Sequence, residues 1–368
     1  MSGEDDGSRR TDANDGSRRT DANDGSRRTI ADGGDEIEPA VDPDLEPETG
    51  TGPPAVIAAG HINWDVTIHV DELPERDGET RIERLEQSGG GSAANVAVGV
   101  VGLGGQSVVF GSVGGDESGA LALRELASAG VDPGHVLVDA DAPTSVTYVI
   151  VDGNGELLML ANEGANESFS ASDLDRETLA AADHLHLTGQ KPETAAALAT
   201  TAAELGPTRS FDPGRRVTDR GYDAALHAAD LIFVNDREAD ALADATDIDP
   251  RAPDDRIVAV KHGGDGATVH TPNGDVSHPG FDVDAVDTAG AGDAFAAGFL
   301  GAALREPAIA DGGFAHDPRE YQVPLLVANA CGAIAAETVT ARADLSWDRV
   351  RSIMGESPEA DLLIEIRA

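Results

Sequence analysis

The chain has 368 residues, 40% of them hydrophobic, enough to bury the core of one large domain or two modest ones. Asp and Glu total 68 against 26 Lys and Arg, a formal charge of -42; this disfavours a general nucleic-acid binder, which needs a basic stripe, and describes a surface whose self-repulsion molar salt would screen. No apolar run reaches membrane-spanning length, the amino-terminal sequence is acidic and polar, and the one cysteine, Cys331, makes neither an intrachain disulfide nor a zinc cluster, so a salt-adapted cytoplasmic protein with no membrane partner is expected.

Residues 1–52 stand apart. The hexamer DGSRRT occurs at Asp6–Thr11, Asp15–Thr20 and Asp24–Thr29, a period of nine, and an acidic stretch from Asp32 to Glu48 follows. Little here can offset the entropy of ordering by apolar burial, so a disordered acidic tail is expected. The ordered domain is expected over 53–368. Its first buried strand is AVIAAG, Ala55–Gly60, followed by strands at Asp65–Val70 and Thr80–Gln87. Helices are expected at Ala93–Leu103 and Glu117–Ala129, then a hairpin of Thr144–Val151 and Glu156–Ala161 around Asp152-Gly153-Asn154-Gly155. The two strand pairs come from separate points on the chain and are expected to meet as a small sheet. From about residue 180 strands and helices alternate: His184–Leu187, Pro192–Leu205, Arg209–Asp212, Leu231–Asn235, a helix from Glu238, Arg256–Lys261, Ala267–His270, then helices Asp293–Leu304 and Val323–Thr338. That alternation predicts an α/β fold with a largely parallel sheet covered by helices.

The sharpest segment is Asp287-Thr288-Ala289-Gly290-Ala291-Gly292-Asp293, small residues running into a helix with Phe295 and Phe299. The glycines permit close approach of a ligand, and the first helical N–H groups lack intrahelical partners at the positive end of the dipole, an anion cradle. Asp293 sits at that end, where it either caps the first turn or accepts a proton from an attacking hydroxyl. A second segment, Gly89-Gly90-Gly91-Ser92-Ala93-Ala94-Asn95, opens another helix; Asn95 offers a donor and an acceptor suited to sugar hydroxyls, while Ser92 reads equally as an N-cap. Asp65, at a strand edge, accepts two hydroxyl protons or caps a turn. The chain has no G-x-x-x-x-G-K-[ST] and only two lysines, Lys191 and Lys261, which excludes a P-loop enzyme. Gly111–Asp116 misses the dinucleotide spacing, and the histidines show no zinc-hydrolase pattern.

On GGSAAN, Gly90–Asn95, and DTAGAGDAFAAGF, Asp287–Phe299, the chain resembles the ribokinase (PfkB) family of carbohydrate kinases over about residues 55–365. The resemblance implies a three-layer α/β/α body with a small β-sheet lid, from about 65–88 and 144–162, over the sugar. It implies Asp293 as catalytic base, with Ala289, Gly290, Ala291 and Gly292 forming the anion hole. Asp65, Gly90, Gly91 and Asn95 fall on positions that bind substrate hydroxyls. Asn235 and Glu238, from the family's N-x-x-E motif, organise Mg2+ and water around ATP. Lys261, Gly263 and Gly266 fall on the nucleotide loop and Asn329 beside the adenine, while Asp287 falls where several members hold K+. A homodimer through the lid edge is also implied, and the acidic composition points to a salt-adapted archaeal source.

The implied reaction is ATP-dependent transfer to a primary hydroxyl of ribose, fructose or a related sugar. A nucleoside acceptor is the alternative; a ketodeoxygluconate-type sugar acid and a non-catalytic sugar-binding protein rank lower. Ser92 stands where fructose-1-phosphate-type kinases often carry a lysine, so a phosphosugar acceptor is disfavoured, with Arg81, Arg84 or an arginine from a partner chain as the cations that would substitute. In Phe211-Asp212-Pro213-Gly214-Arg215-Arg216, which resembles the family's DPN-x-R strand end, Arg215 reads either as an exposed ion-paired residue or as a contact for a sugar acid or phosphate.

Overall fold

In the computed structural model the described residues are 28–29, 55–74, 76–153, 157–306, 308–309, 313–338 and 342–355. The tail expected over 1–52 lies outside them, except that Arg28–Thr29 forms a two-residue strand, β1, against the open backbone edge of β6 (Val136–Asp139). The other strands are β2 (Ala55–Ala59), β3 (Asn63–Val70), β4 (Ile82–Gly90), β5 (Gln106–Gly114), β7 (Ser145–Val151), β8 (Leu157–Ala161), β9 (His184–Thr188), β10 (Thr208–Asp212), β11 (Leu231–Asn235), β12 (Ile257–Lys261), β13 (Ala267–Thr271) and β14 (Gly274–His278). The α-helices among the described residues are α1 (Ser92–Gly102), α2 (Glu117–Ser128), α3 (Arg176–Ala181), α4 (Pro192–Leu205), α5 (Asp223–Ala228), α6 (Asp236–Ala245), α7 (Ala291–Ala303), α8 (Gln322–Ala336) and α9 (Trp347–Met354).

Ten strands form one sheet in the order β1-β6-β5-β2-β9-β10-β11-β12-β13-β14. From β6 to β12 every neighbour pair is parallel; β1 and the β13–β14 hairpin close the two edges antiparallel. Alternate residues feed two cores. Leu231 and Phe233 pack with Phe295, Phe299 and Leu326 from α7 and α8; Ile232 and Val234 pack on the opposite face with Leu198, Leu226 and Leu242 from α4, α5 and α6. A strand buried on both faces this way needs helices on both sides, hence three layers. Small residues let α1, α7 and α8 approach closely: a Cβ on Gly298 would meet Cys331 Sγ at 2.8 Å, and one on Gly99 would meet Ala297 Cβ at 2.6 Å. That packing fixes where α7 begins.

The second sheet has the order β4-β3-β7-β8, with β3 and β7 parallel although they belong to distant segments. Its register puts Asp65 beside Thr147 on one face, and Val66, Tyr148 and Leu160 in one row of the other. On that outer face Trp64 and Val66 are buried, while Leu85, Tyr148, Leu158 and Leu160 stand exposed.

Candidate active site

The carboxyl ends of β10, β11 and β12 converge with the starts of α1 and α7, where parallel α/β sheets place ligands. Asp293 lies in the first turn of α7. The turn is entered through Gly290 at φ 74, a left-handed conformation that glycine adopts without strain. Ala294 N–H donates back to Gly290 O at 2.8 Å, so the amides of Gly292 and Asp293 belong to the turn that lacks intrahelical acceptors. Burial pushes the Asp293 carboxyl up to about 6, against the lowering effect of the Asn95 amide, whose Nδ2 donates to Oδ2 at 2.8 Å; the Asp212 carboxylate raises it further. A carboxylate poised near neutrality is a competent proton acceptor.

Lys261 ends β12 and donates from Nζ to Asp212 Oδ2 at 2.8 Å. Burial opposes its charge, but the carboxylates of Asp212, Glu238 and Asp293 outweigh that and hold it protonated. Its ammonium would stand 3.3 Å from a Cβ on Gly292, against the anion cradle itself. The cradle thus combines helix amides with a fixed cation.

Near the start of α1, burial raises the Asp65 pKa while a hydrogen bond from Thr147 lowers it; its Oδ1 is buried without a partner among the described residues. A Cβ on Gly90 would strike Asp65 Oδ2 at 2.0 Å, and Gly91, at φ 91, lies against the His61 carbonyl. These glycines keep an acceptor-rich floor open at the mouth of α1. Sequence reasoning missed Arg342. Its side chain is 7% exposed and donates to Asn95 Oδ1 at 3.1 Å, to Gly90 O at 3.1 Å and to Glu125 Oε1 at 2.8 Å. By engaging the amide oxygen of Asn95, it turns the Nδ2 group toward Asp293. Arg342 lies in irregular chain, where no periodic signal marks it.

At the end of β11, Asn235 and Glu238 form a capping box at the start of α6: Asn235 Oδ1 accepts from Glu238 N at 3.0 Å, and Glu238 Oε2 accepts from Asn235 N at 2.9 Å. The motif therefore has a local structural role as well. Burial, then the Asp212 charge, raises the Glu238 pKa. Gly263 has open space at its Cβ position, whereas Gly266 lies against the His278 carbonyl. Asn329 is buried in α8 and donates to Leu325 O at 2.8 Å, so its amide is engaged within its own helix. Asp287 Oδ1 accepts from Ala289 N at 2.9 Å and braces the turn before the cradle.

A cavity of about 490 Å³ opens beside the row of acceptors at the mouth of α1. Its lining includes Asn63, Thr147 and Asn166 with His61, Lys191 and Arg216. Arg216 lines it, and Arg215, the residue the sequence brought forward, does not. The fold thus gathers a buried carboxylate, a helix start with free amides, a fixed lysine and a row of polar acceptors.

Residues 54–348 match the pfkB family carbohydrate kinases. The chain belongs to that family. It is 52% identical over 302 residues to the ATP-dependent ribose-1-phosphate kinase of Halopiger xanaduensis, covering 82% of this chain and 98% of that protein. To the nucleoside kinase of Methanothermobacter thermautotrophicus it is 29% identical, covering 68% and 82%. Among solved structures, the ATP-bound fructokinase of Xylella fastidiosa superposes with a TM-score of 0.70 at 24% identity, over 82% of this chain and 98% of that one. The ribokinase fold of the family, with its large helix-covered sheet and smaller separate sheet, is the fold described above. Among the described residues no helix is long and apolar enough to cross a membrane.

Proposed function

We propose that this pfkB-family kinase transfers the terminal phosphoryl group of ATP to the 5-hydroxyl of ribose 1-phosphate, giving ribose 1,5-bisphosphate and ADP. The observation that carries the acceptor is 52% identity, across nearly the whole of the relative, to a ribose-1-phosphate kinase. The 5-hydroxyl is the one primary hydroxyl of that sugar, in line with the expected chemistry. The expectation against a phosphosugar acceptor weighed cations close in sequence to Gly90; the relative's substrate outweighs it.

Asp65, Gly90, Gly91 and Asn95 hold the ring hydroxyls, and Asp293 faces the 5-hydroxyl. The O5 atom forms a bond to the γ-phosphorus, the bond from phosphorus to the bridging oxygen of ADP breaks, and the O5 proton passes to Asp293. The amides of Gly292 and Asp293 and the Lys261 ammonium meet the charge on the transferred group. Asn235, Glu238, Gly263, Gly266 and Asn329 belong to the nucleotide side of this reading. Glu238 is a buried carboxylate, of the chemistry that holds a hard divalent cation through water; Mg2+ carried there with the ATP phosphates would neutralise phosphate charge. K+ beside Asp287, a lid formed by the four-stranded sheet, and a cytoplasmic homodimer joined through its exposed outer apolar face complete the proposal.

The test is ADP formation in high KCl with MgATP against ribose 1-phosphate, ribose, fructose, a sugar acid, adenosine and cytidine, with the product identified by mass. Ribose 1-phosphate should give the highest kcat/KM and a bisphosphate at one ADP per product. Preference for a nucleoside, the acceptor class in the Methanothermobacter relative's name, or for a free sugar would overturn the acceptor.

A further inference from the structure

A chain with 68 carboxylates and a net charge of -42 repels a sugar phosphate as a whole, so any site for one must be built locally. Lysine is nearly absent: of 26 basic residues, two are Lys. Both stand at this site. Lys261 lies against the anion cradle, on the side of the transferred phosphoryl group. Lys191 lies at the end of the β9–α4 connection and lines the 490 Å³ cavity that opens beside Asp65 and Gly90.

The continuity of that cavity with the sugar floor follows from three contacts. Thr147 lines it and hydrogen-bonds Asp65. Asn63 lines it and is the strand partner of Gly90. The His61 carbonyl touches Gly91. A ribofuranose carries C1 and C5 on opposite sides of its ring oxygen. With C5 directed to Asp293 and the ring hydroxyls on Asp65, the C1 substituent is carried away from the base, toward this cavity.

The charges lining the cavity decide which group it takes. Its two carboxylates are already matched. Glu167 pairs with Arg220 and with His61 Nε2 at 3.4 Å; the His61 hydrogen bond, then Arg220, holds its carboxyl down at about 2. Glu163 pairs with Arg216 at 3.2 Å in an exposed contact, of a kind worth little and easily exchanged. Lys191 makes no ion pair among the described residues, and its side chain is exposed. Asn63, whose Oδ1 accepts from Asn166 Nδ2 at 2.7 Å, keeps its own amide as a donor. The balance left over is one unmatched lysine and neutral donors, a complement for a single phosphate, and Arg216 joins it by releasing the exposed Glu163 carboxylate to water.

We propose that this cavity is the seat of the acceptor's 1-phosphate, with Lys191 as its principal cation and Arg216 as the second, so that Lys191 sets the preference for a phosphosugar over a free sugar. The proposal rests on the ribose 1-phosphate reading and deepens it.

The experiment compares wild type, Lys191→Met, Lys191→Arg and Lys191→Met with Arg216→Gln in high KCl. It measures kcat/KM for ribose 1-phosphate and for free ribose, the KM for ATP, and binding of ribose 1-phosphate without nucleotide by calorimetry. Charged hydrogen bonds to phosphate imply that Lys191→Met raises the KM for ribose 1-phosphate by about 10–100-fold. Binding should weaken in parallel, while the ATP KM and the rate on free ribose hold, and the double variant should go further. Lys191→Arg should recover most of the loss. Inorganic phosphate should compete with ribose 1-phosphate in wild type and not in Lys191→Met. Lys191 is exposed with no side-chain capping bond, so matching thermal melts are expected for all variants. If wild type uses ribose 1-phosphate and the variants bind it within about twofold of wild type, the subsite is misplaced while the function stands. A wild type that ignores ribose 1-phosphate overturns both. Phosphate that activates instead of competing would make the cavity a regulatory site and refute the assignment.

Discussion

The hydrogen bond from Asn95 Nδ2 to Asp293 Oδ2, 2.8 Å long, makes a quantitative claim about the base. Under the proposed mechanism Asp293 is ionised when it accepts the 5-hydroxyl proton, so kcat/KM should rise through its pKa, about 6 in the wild type, where burial is the main cause of elevation. Asn95→Leu keeps the volume and removes the donor that favours the carboxylate. A hydrogen bond to a charged group contributes about 1.5–3 kcal/mol, and about 1.4 kcal/mol corresponds to one pKa unit. The acidic limb should therefore move up by about 1–2 units. At pH 6 the ionised fraction then falls from about half to roughly 1–10%, while at pH 9 the ionisation deficit nearly vanishes. Rates at subsaturating sugar, measured from pH 5 to 9 at constant KCl, separate this from lost sugar contacts, which lower activity equally at all pH values. An acidic limb that stays near 6 while KM rises would show that Asn95 binds sugar without tuning the base.

Asp293→Asn should cut turnover by about 10²–10⁴-fold and leave ATP affinity nearly intact; near-normal turnover would remove it as the base. Gly90→Ala places a Cβ 2.0 Å from Asp65 Oδ2, so the sugar KM should rise with little change for ATP, as steady-state kinetics would show. Arg342→Gln leaves Glu125 with the Gly89 N–H as its partner and frees the Asn95 amide oxygen. Because Glu125 is partly exposed, the stability loss in chemical denaturation should be about 1–3 kcal/mol, below the range for a fully buried pair. His186, buried and hydrogen-bonded through Nδ1 to Ser210 at 2.7 Å, is held down to about 4 by burial, then opposed by Asp212. Its neutral form is favoured in the fold, so its contribution is full above about pH 6.5 and is lost as pH falls toward 4, up to about 3 kcal/mol. Stability curves of wild type and His186→Asn should converge or cross over that window, and a constant separation would contradict the assignment.

Much of the α/β frame was legible because local and tertiary signals agree. Pro192 at the first turn and Gly206 at φ 118 bracket α4, which spans the expected Pro192–Leu205. Leu231–Asn235 is strand as expected, since its apolar run is buried on both faces. The central strand β5 was harder to read. Its Gly111 and Gly114 look like loop residues, yet a Cβ on Gly111 would strike Gly60 O at 2.4 Å and one on Gly114 would strike Thr144 N at 2.3 Å. Those glycines answer to neighbouring backbone, which no local pattern encodes. The short helices α3 and α5 and the exposed hairpin strand β14 carry too few apolar residues to stand out. At the site, the motifs pointed to Asp293, Asn95 and Asp65, which the fold gathers with their glycines at adjoining helix and strand ends. Arg342, Thr147, Lys191 and Arg216 come from other segments, and their convergence depends on topology.

Asn95 and Arg342 are 247 residues apart, and Asn95 and Asp293 are 198 apart. On a ribosome, the first half of the sugar floor leaves the exit tunnel long before the residue that orients it. Body strands can pair as they emerge, but the acceptor pocket stays immature until almost the last helix is made. An incomplete nascent chain can therefore carry a paired sheet while Asn95 still lacks the residue that orients it. Truncations near the carboxyl end should yield a well-folded sheet with an unfinished pocket, and a stalled or prematurely terminated product would be catalytically silent.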